Sequence, residues 1–406
     1  MKKTSSIMII GGGIVGCAVA LELSEKGWKN ITVVERNKTI PGLNQSSTNE
    51  GTIHSGIYHP KSVMPLKAKL SAEGNRLMYK FLKKHHLPYK KIGKLIIATN
   101  VFEESYLDFF LSIGKENGVA RVKKISGEKA KKLEPNLGNV TAALRVPSTG
   151  SSSPDALIRK VKELAEKNGV RFLLQTTATV IKPAKKQIEL TLQTSRGKKT
   201  LLSDFLINSA GLYSDEIAKM INPKSPYVIE PARGEFYAYD SQKARSNIKV
   251  NMHIYQPPYC YTTKNGNMEI LKIPASRLKT RLKKGDVIIT AGVHISPAYA
   301  KKRDRYGLNK ITISPLKTTG LGKGNYKTKL HPAKDYITKI NYFFPHLTAS
   351  DIKKDHTGIM SPLKNHRDFV IEKDKKFPNC INLIGMESPA WTSCFAIAKY
   401  VETLIK

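Results

Sequence analysis

The opening of the chain is set by short apolar runs that end in glycine. Residues 6–10 are apolar almost without alternation and pass straight into Gly11-Gly12-Gly13, which predicts a strand buried on both faces. Residues 14–26 predict a helix, with Val15, Val19, Leu21 and Leu23 among its apolar positions, and residues 31–35 a second strand. That β–α–β order opens a doubly wound fold. Residues 65–87 predict a long amphipathic helix, because Leu66, Leu70, Leu77 and Phe81 fall on one face. A strand follows at 94–99. Ser153, Pro154 and Asp155 supply a cap, a first-turn proline and an acid at the positive end of the helix dipole. The helix they start has Leu157, Val161, Leu164 and Ala165 as its apolar stripe and stops at Gly169. Residues 205–208 predict a strand running into Ala210-Gly211, residues 228–312 a mostly strand-like region, residues 381–384 a late strand and residues 392–405 a final helix.

A dinucleotide-type unit near the start and another strand–glycine–helix unit near the end predict an α/β, doubly wound dinucleotide-binding domain that is split in sequence. It takes residues 1–90, 142–226 and 346–406. An inserted α+β, largely antiparallel substrate domain takes 91–141 and 227–345. The chain shows no internal repeat.

Charge adds one feature. The 406 residues carry a net charge of +36, and 54 of the 68 basic residues are lysine. Such a field favours anionic partners, whether a small anionic substrate or the anionic surface of a membrane. The basic residues are dispersed, densest over 264–339, and no arginine-rich or aromatic-interleaved tract marks a nucleic-acid reader, so no specific nucleic acid is expected. No stretch approaches the roughly 18 apolar residues of a membrane helix. Two lysines before an apolar run resemble a signal peptide, but the run is short and enters a glycine loop. The expectation is a cytoplasmic protein, at most peripheral to the inner face of the membrane. Cys17, Cys260, Cys380 and Cys394 lack the spacing of a zinc knuckle or a redox pair, which predicts reduced thiols and no metal site.

The chemistry starts at Gly11, Gly13 and Gly16, which have G-x-G-x-x-G spacing. The first glycine permits a tight turn, the second lets backbone approach a pyrophosphate, and the third lets helix pack on strand. The pattern follows a strand, opens a helix, and is followed by a second strand ending in Glu35, placed to accept from a ribose hydroxyl. Beyond that strand lies a small-polar segment, Gln45-Ser46-Ser47-Thr48-Asn49-Glu50-Gly51-Thr52-Ile53-His54-Ser55-Gly56-Ile57-Tyr58-His59. A nicotinamide enzyme has no evident use for it. A flavin enzyme does, at the pyrophosphate and the isoalloxazine edge.

With Lys67-Ala68-Lys69-Leu70 and Glu73-Gly74-Asn75, this segment resembles the L-2-hydroxyglutarate oxidase/dehydrogenase family of D-amino-acid-oxidase-type flavoproteins. Its end, Ile53-His54-Ser55-Gly56, also resembles glycerol-3-phosphate dehydrogenases. The likeness continues at Gly93-Lys94-Leu95-Ile96-Ile97-Ala98, at Asn208 to Asp215, at Arg233-Gly234-Glu235-Phe236-Tyr237, at Gly292-Val293-His294-Ile295-Ser296 and at Gly385 to Ser393. The resemblance implies FAD, held by Gly11, Gly12, Gly13, Gly16, Glu35, Arg36, Ser47, Asn49, Glu50, Val180, Ala210, Gly211, Gly385, Ser388 and Thr392. It implies oxidation of a small 2-hydroxy acid, most simply L-2-hydroxyglutarate, with oxygen or a quinone as electron acceptor. His54 and His294 become the candidate bases and Arg233 the candidate carboxylate partner. The competing roles are a flavin-orienting His54, a strand histidine at 294 and a structural ion pair at Arg233. The chain departs from the pattern at Met360, where the family usually carries an arginine, so that Lys364 or Arg367 must compensate. It departs again over 259–287, which is longer and more basic than the family's pattern. Glycerol 3-phosphate or an amino acid is the alternative substrate, and a nucleic-acid-associated or non-catalytic flavoprotein the alternative class.

Overall fold

The computed structural model describes residues 3–405 except 185, 243, 245, 246, 265, 266, 303, 304 and 328–330; within 262–270 and 301–306 it describes backbone only. Strand Ser6–Ile10 lies inside a six-stranded sheet. The order across that sheet is Val370–Lys373, Cys380–Ile384, Phe205–Asn208, Ser6–Ile10, Asn30–Val34 and Arg171–Leu173, parallel throughout except at the Val370–Lys373 edge. Alternation along each strand explains why these runs read as continuously apolar. Ile7, Ile9, Ile31, Val33 and Ile207 face a helical layer, while Met8, Ile10, Val34 and Leu206 face a three-stranded meander, Thr177–Pro183, Ile188–Thr194 and Gly197–Ser203. In the helical layer Ile14–Glu25 packs against Pro154–Lys167 and Ala390–Ile405. The Ser153 hydroxyl accepts from the Ala156 N–H at 3.3 Å, the cap that its position implied.

An eight-stranded sheet makes the second layer, in the order Ile352–Met360, Ala232–Tyr239, Arg305–Thr318, His294–Lys302, His253–Tyr255, Lys94–Ala98, Ala142–Val146 and Lys123–Ser126. Its neighbours are antiparallel except for His253–Tyr255 beside Lys94–Ala98. Two of its strands, Ala142–Val146 and Ile352–Met360, fall inside the ranges that the sequence assigns to the dinucleotide unit. The strand-like region 228–312 also contains a helix, Ala275–Lys284. Leu278 and Leu282 bury one turn apart, and Gly285 ends the helix at φ 75°, a left-handed cap that glycine adopts without strain.

The long helix runs Pro65–Lys84 and buries a different face from the leucine stripe. Lys67, Ser71, Gly74 and Asn75 are buried with Ala68, Leu70, Met78 and Leu82, while Leu66, Leu77 and Phe81 pack at the margin. Close approach dictates this. A Cβ on Gly74 would sit 2.6 Å from Ser393 Cα, so small residues must face the final helix. Among the described residues all four cysteines are buried free thiols, no helix is long and apolar enough to cross a membrane, and no group of three potential ligands could hold a metal.

Candidate active site

A cavity of 740 Å³ opens where the two sheets meet, within the range of about 300–1,000 Å³ usual for ligand pockets. One part of its lining is backbone. Gly11, at φ 108°, turns the chain so tightly that a Cβ there would lie 2.3 Å from Ser209 O. A Cβ on Gly16 would lie 2.0 Å from Gly11 O, so Gly16 serves the packing of helix on strand and does not line the cavity. At Gly13 a Cβ would meet only Ser46 Oγ, at 3.1 Å. Helix Ile14–Glu25 takes no side-chain cap from Gly13 and has no acid in its first turn; its Ile14 N–H donates to Ser46 Oγ at 2.9 Å, and both residues line the cavity. Glu35 accepts from the Gly12 N–H at 2.7 Å and from the Asn37 N–H at 2.9 Å, and is thereby held against the lining.

Of the residues singled out in the sequence, Gly11, Gly13, Glu35, Arg36, Asn49, Glu50, His54, Ala210, Gly211, His294 and Ser388 line this one cavity. Gly12, Gly16, Ser47, Val180, Arg233, Gly385 and Thr392 do not. Ser47 turns inward on Asn44 Oδ1. Val180 is 44% exposed on the meander, and Thr176, Thr177 and Ala178 take the place at the lining instead. Gly385 turns the chain at φ 71°, against Leu363. Thr392 Oγ1 accepts from the His54 N–H at 2.9 Å, so it positions His54 from behind.

Arg233 requires a correction. It is buried, and its Nη2 donates to Glu235 Oε1 at 2.5 Å. Residues i and i+2 of a strand share a face, so the two side chains are neighbours by geometry. Glu235 also accepts from the N–H and the ring of His331, which fixes the group as a structural ion pair away from the lining. Cations do reach the cavity, from elsewhere. Arg367 lines it beside Met360, and its Nε is buried with no hydrogen-bond partner among the described residues. Lys317 lines it too, its Nζ donating to Thr290 Oγ1 at 2.6 Å. Burial holds both below their usual ranges. Lys364 is on the exterior with Glu230, so of the two cations near Met360 it is Arg367 that reaches the cavity. Its neighbour Asp368 accepts from the Leu66 and Lys67 N–H groups, each at 2.8 Å, and so caps helix Pro65–Lys84 from 300 residues away.

The two histidines differ in what their nitrogens touch. His294 Nδ1 lies 3.0 Å from the Gly292 carbonyl and Nε2 lies 3.1 Å from Glu50 Oε1. Both partners are hydrogen-bond acceptors, so both ring nitrogens of His294 are engaged. Thr52, Tyr255, Thr312 and Ser314 hydroxyls also donate to Glu50. Burial works to raise the Glu50 carboxyl, but the His294 charge and hydrogen bond, then His253 and Thr52, hold it well below the usual range. His54 Nε2 has only the Ser388 hydroxyl, at 3.3 Å, and burial followed by the Lys94 ammonium holds the ring neutral, well below the usual imidazole range.

Lys94 was visible in sequence only as part of a motif. It is buried inside the strand Lys94–Ala98, with its Nζ 3.6 Å from the Tyr255 ring centre and 4.9 Å from that of Tyr58, and burial pulls it down to about 7. Tyr255 stacks in turn on His294, with centroids 3.9 Å apart. His59 also lines the cavity. Burial, followed by Lys67 and Lys94, holds it at about 3.

Residues 6–404 match the model of the FAD dependent oxidoreductases of the DAO type. The chain is 30% identical to an L-2-hydroxyglutarate dehydrogenase, mitochondrial, of Caenorhabditis elegans, over 97% of this chain and 92% of that protein. It is 28% identical to a glycerol 3-phosphate dehydrogenase of Caloramator mitchellensis, over 98% and 73%. Among solved structures it is similar to an L-alpha-glycerophosphate oxidase from Mycoplasma pneumoniae with FAD bound, at a TM-score of 0.78 and 24% identity, over 100% and 95% of the two chains; that likeness concerns the fold. FAD fits the residues present: the positive end of helix Ile14–Glu25 with no acid in its first turn, a glycine at 13 where an added Cβ would meet only the Ser46 hydroxyl, a fixed Glu35, and one lining that also includes His54.

Proposed function

Because the chain belongs to the DAO family of FAD-dependent oxidoreductases, we propose that its substrate is a small 2-hydroxy acid and that His54 is the base that removes the hydroxyl proton. Gly11, Gly13, Glu35, Ser46 and Gly211 would hold the dinucleotide. Bound FAD supplies a two-electron acceptor, at N5, for the hydrogen that leaves the hydroxyl-bearing carbon. The rest is the work of this chain. His54 Nε2 receives the hydroxyl proton, which a ring kept neutral at working pH can do. Arg367 and Lys317 face the substrate carboxylates, the first with a buried Nε that lacks a partner. The product is the 2-oxo acid.

The occupancy of the two histidines carries this reading. Both ring nitrogens of His294 already face acceptors, whereas among the described residues the ring of His54 has one hydrogen-bond contact, with a hydroxyl. Replacing each by asparagine tests it by anaerobic, single-turnover reduction of the bound flavin. His54→Asn is expected to slow reduction by about 10²–10⁴-fold while keeping FAD. His294→Asn is expected to lower thermal stability and to retain reduction within an order of magnitude. The reverse ranking would overturn the assignment. A phosphate suits the same two cations, so glycerol 3-phosphate is the second reading, favoured by the absence of an arginine at position 360.

A further inference from the structure

The far edge of the eight-stranded sheet carries a second concavity, which shares no lining residue with the first. Its volume is 560 Å³ and its walls are Lys91, Arg121, Val122, Lys123, Arg145 and Pro147. Four of these six are cations and none is an acid. Lys123 stands directly opposite Arg145 across the antiparallel pair of edge strands. Like charges in that position repel at short range.

The neighbouring residue shows that this is not general lysine decoration. Lys124 points to the other face of the same strand and there meets Glu104 at 3.4 Å and Asp108 at 3.0 Å. Among the described residues no such acid lines the concave side. Arg145 Nε is buried and has no hydrogen-bond partner among the described residues. Arg121, beside it, adopts a left-handed backbone at φ 56°, uncommon for a residue other than glycine. Lys91 is steadied by the Tyr79 ring, 4.9 Å from its Nζ.

We propose that this concavity is a second anion site, distinct from the flavin cavity, which takes a phosphate monoester or diphosphate. Two planar guanidinium forks can each grip two phosphate oxygens, and two lysines flank them as point charges. A bound oxyanion would turn the Lys123–Arg145 repulsion into a shared attraction and satisfy the buried Arg145 Nε. The phosphate can belong to a free metabolite or to the headgroup of an anionic lipid. The chemistry of recognition is the same.

The test uses the FAD-loaded protein, so that the dinucleotide cradle is already filled, with inorganic pyrophosphate as the calorimetric probe. The expected result is saturable binding of one equivalent. Arg145→Gln should weaken it roughly tenfold or more, the loss of a charged hydrogen bond. Because Arg145 lies in a strand, a second variant with Lys91, Arg121 and Lys123 all changed to Gln should have at least as large an effect. A control with Arg196, Lys198 and Lys199 changed to Gln removes the same charge from an exposed hairpin and should leave binding within twofold. No binding to the wild type, or equal weakening by the two triple variants, would overturn the proposal. Co-sedimentation with phosphatidylcholine vesicles containing phosphatidic acid then separates the sources. Vesicle binding that pyrophosphate competes away assigns a lipid headgroup. Pyrophosphate binding without sedimentation assigns a free phosphate.

Discussion

The two parts of the cavity lining are built by different means. Around Gly11, Gly13 and Glu35 the lining is backbone and one carboxylate that backbone holds, at offsets fixed along a short stretch of chain. Around His54, His294, Lys317 and Arg367 they are made by side chains brought in from strands and loops hundreds of residues apart. The first part needs absence, the lack of a Cβ where backbone must come close. The second needs specific groups with particular partners, and its chemistry depends on which nitrogen or oxygen is already occupied.

Substitution in the glycine loop should have the largest effect and should divide even that part. Gly13→Trp places its bulk where only Ser46 Oγ stands nearby, so the protein is expected to fold, with unchanged circular dichroism, and to purify without flavin. Gly11→Val meets the Ser209 carbonyl and is expected to cost the fold itself, seen as loss of soluble protein. A Gly13→Trp protein that keeps one FAD per chain would remove the backbone-cradle account.

This contrast explains what could be read from the sequence. The parallel strands, the glycine spacing and Glu35 are local patterns, and sheet and helix sit where those patterns put them. Arg233 misleads because a resemblance points to the residue type and says nothing about its partner. Yet Glu235 two residues on was a legible sign of an ion pair on one strand face. Arg367 could be reached only by asking what replaces an arginine at position 360. Lys94 could have been suspected as a charge opening an otherwise fully apolar strand, Lys-Leu-Ile-Ile-Ala, since lysine is almost never fully buried without a purpose. The Glu50–His294 contact spans 244 residues, and no local pattern encodes it. Helix Ala275–Lys284 was legible through Leu278, Leu282 and Gly285, but short flanking β-like runs mask it.

The two arginines sharpen the comparison at the next level of effect. Arg367→Met should raise KM for the best substrate by about ten- to a hundredfold with little change in thermal stability, since it would remove the charged hydrogen bond proposed for the substrate. Arg233→Met should do the opposite. It leaves the fully buried Glu235 with His331 alone and is expected to cost about 3–5 kcal/mol of stability, read by denaturant melts, while KM stays within twofold. If Arg233→Met changes KM and not stability, the correction to its role fails.

The smallest effect concerns pH. As the proposed base, His54 would act only when neutral, and burial with the Lys94 charge lowers its pKa, so kcat/KM should persist as pH falls through the usual imidazole range. Lys94→Met removes a cation that opposes protonation of His54, so the acid limb should move to higher pH. The effect is confined to conditions below about 7, where Lys94 itself is charged. Linkage gives the matching stability trend. His54 binds its proton more readily unfolded than folded, so its burial costs stability as pH drops below the unfolded value of about 6.5. An acid limb that stays put or moves lower in Lys94→Met would detach Lys94 from His54.

The claim that the side-chain part of the cavity oxidises a 2-hydroxy acid is tested most directly by the wild-type protein alone. Its bound flavin should be titrated anaerobically with L-2-hydroxyglutarate, L-lactate, glycerol 3-phosphate and a neutral amino acid, following loss of the flavin absorbance. The account predicts complete bleaching by a 2-hydroxy acid, fastest for the dicarboxylate that both Arg367 and Lys317 can hold. Bleaching by glycerol 3-phosphate or the amino acid alone, or by none of the four, would contradict it.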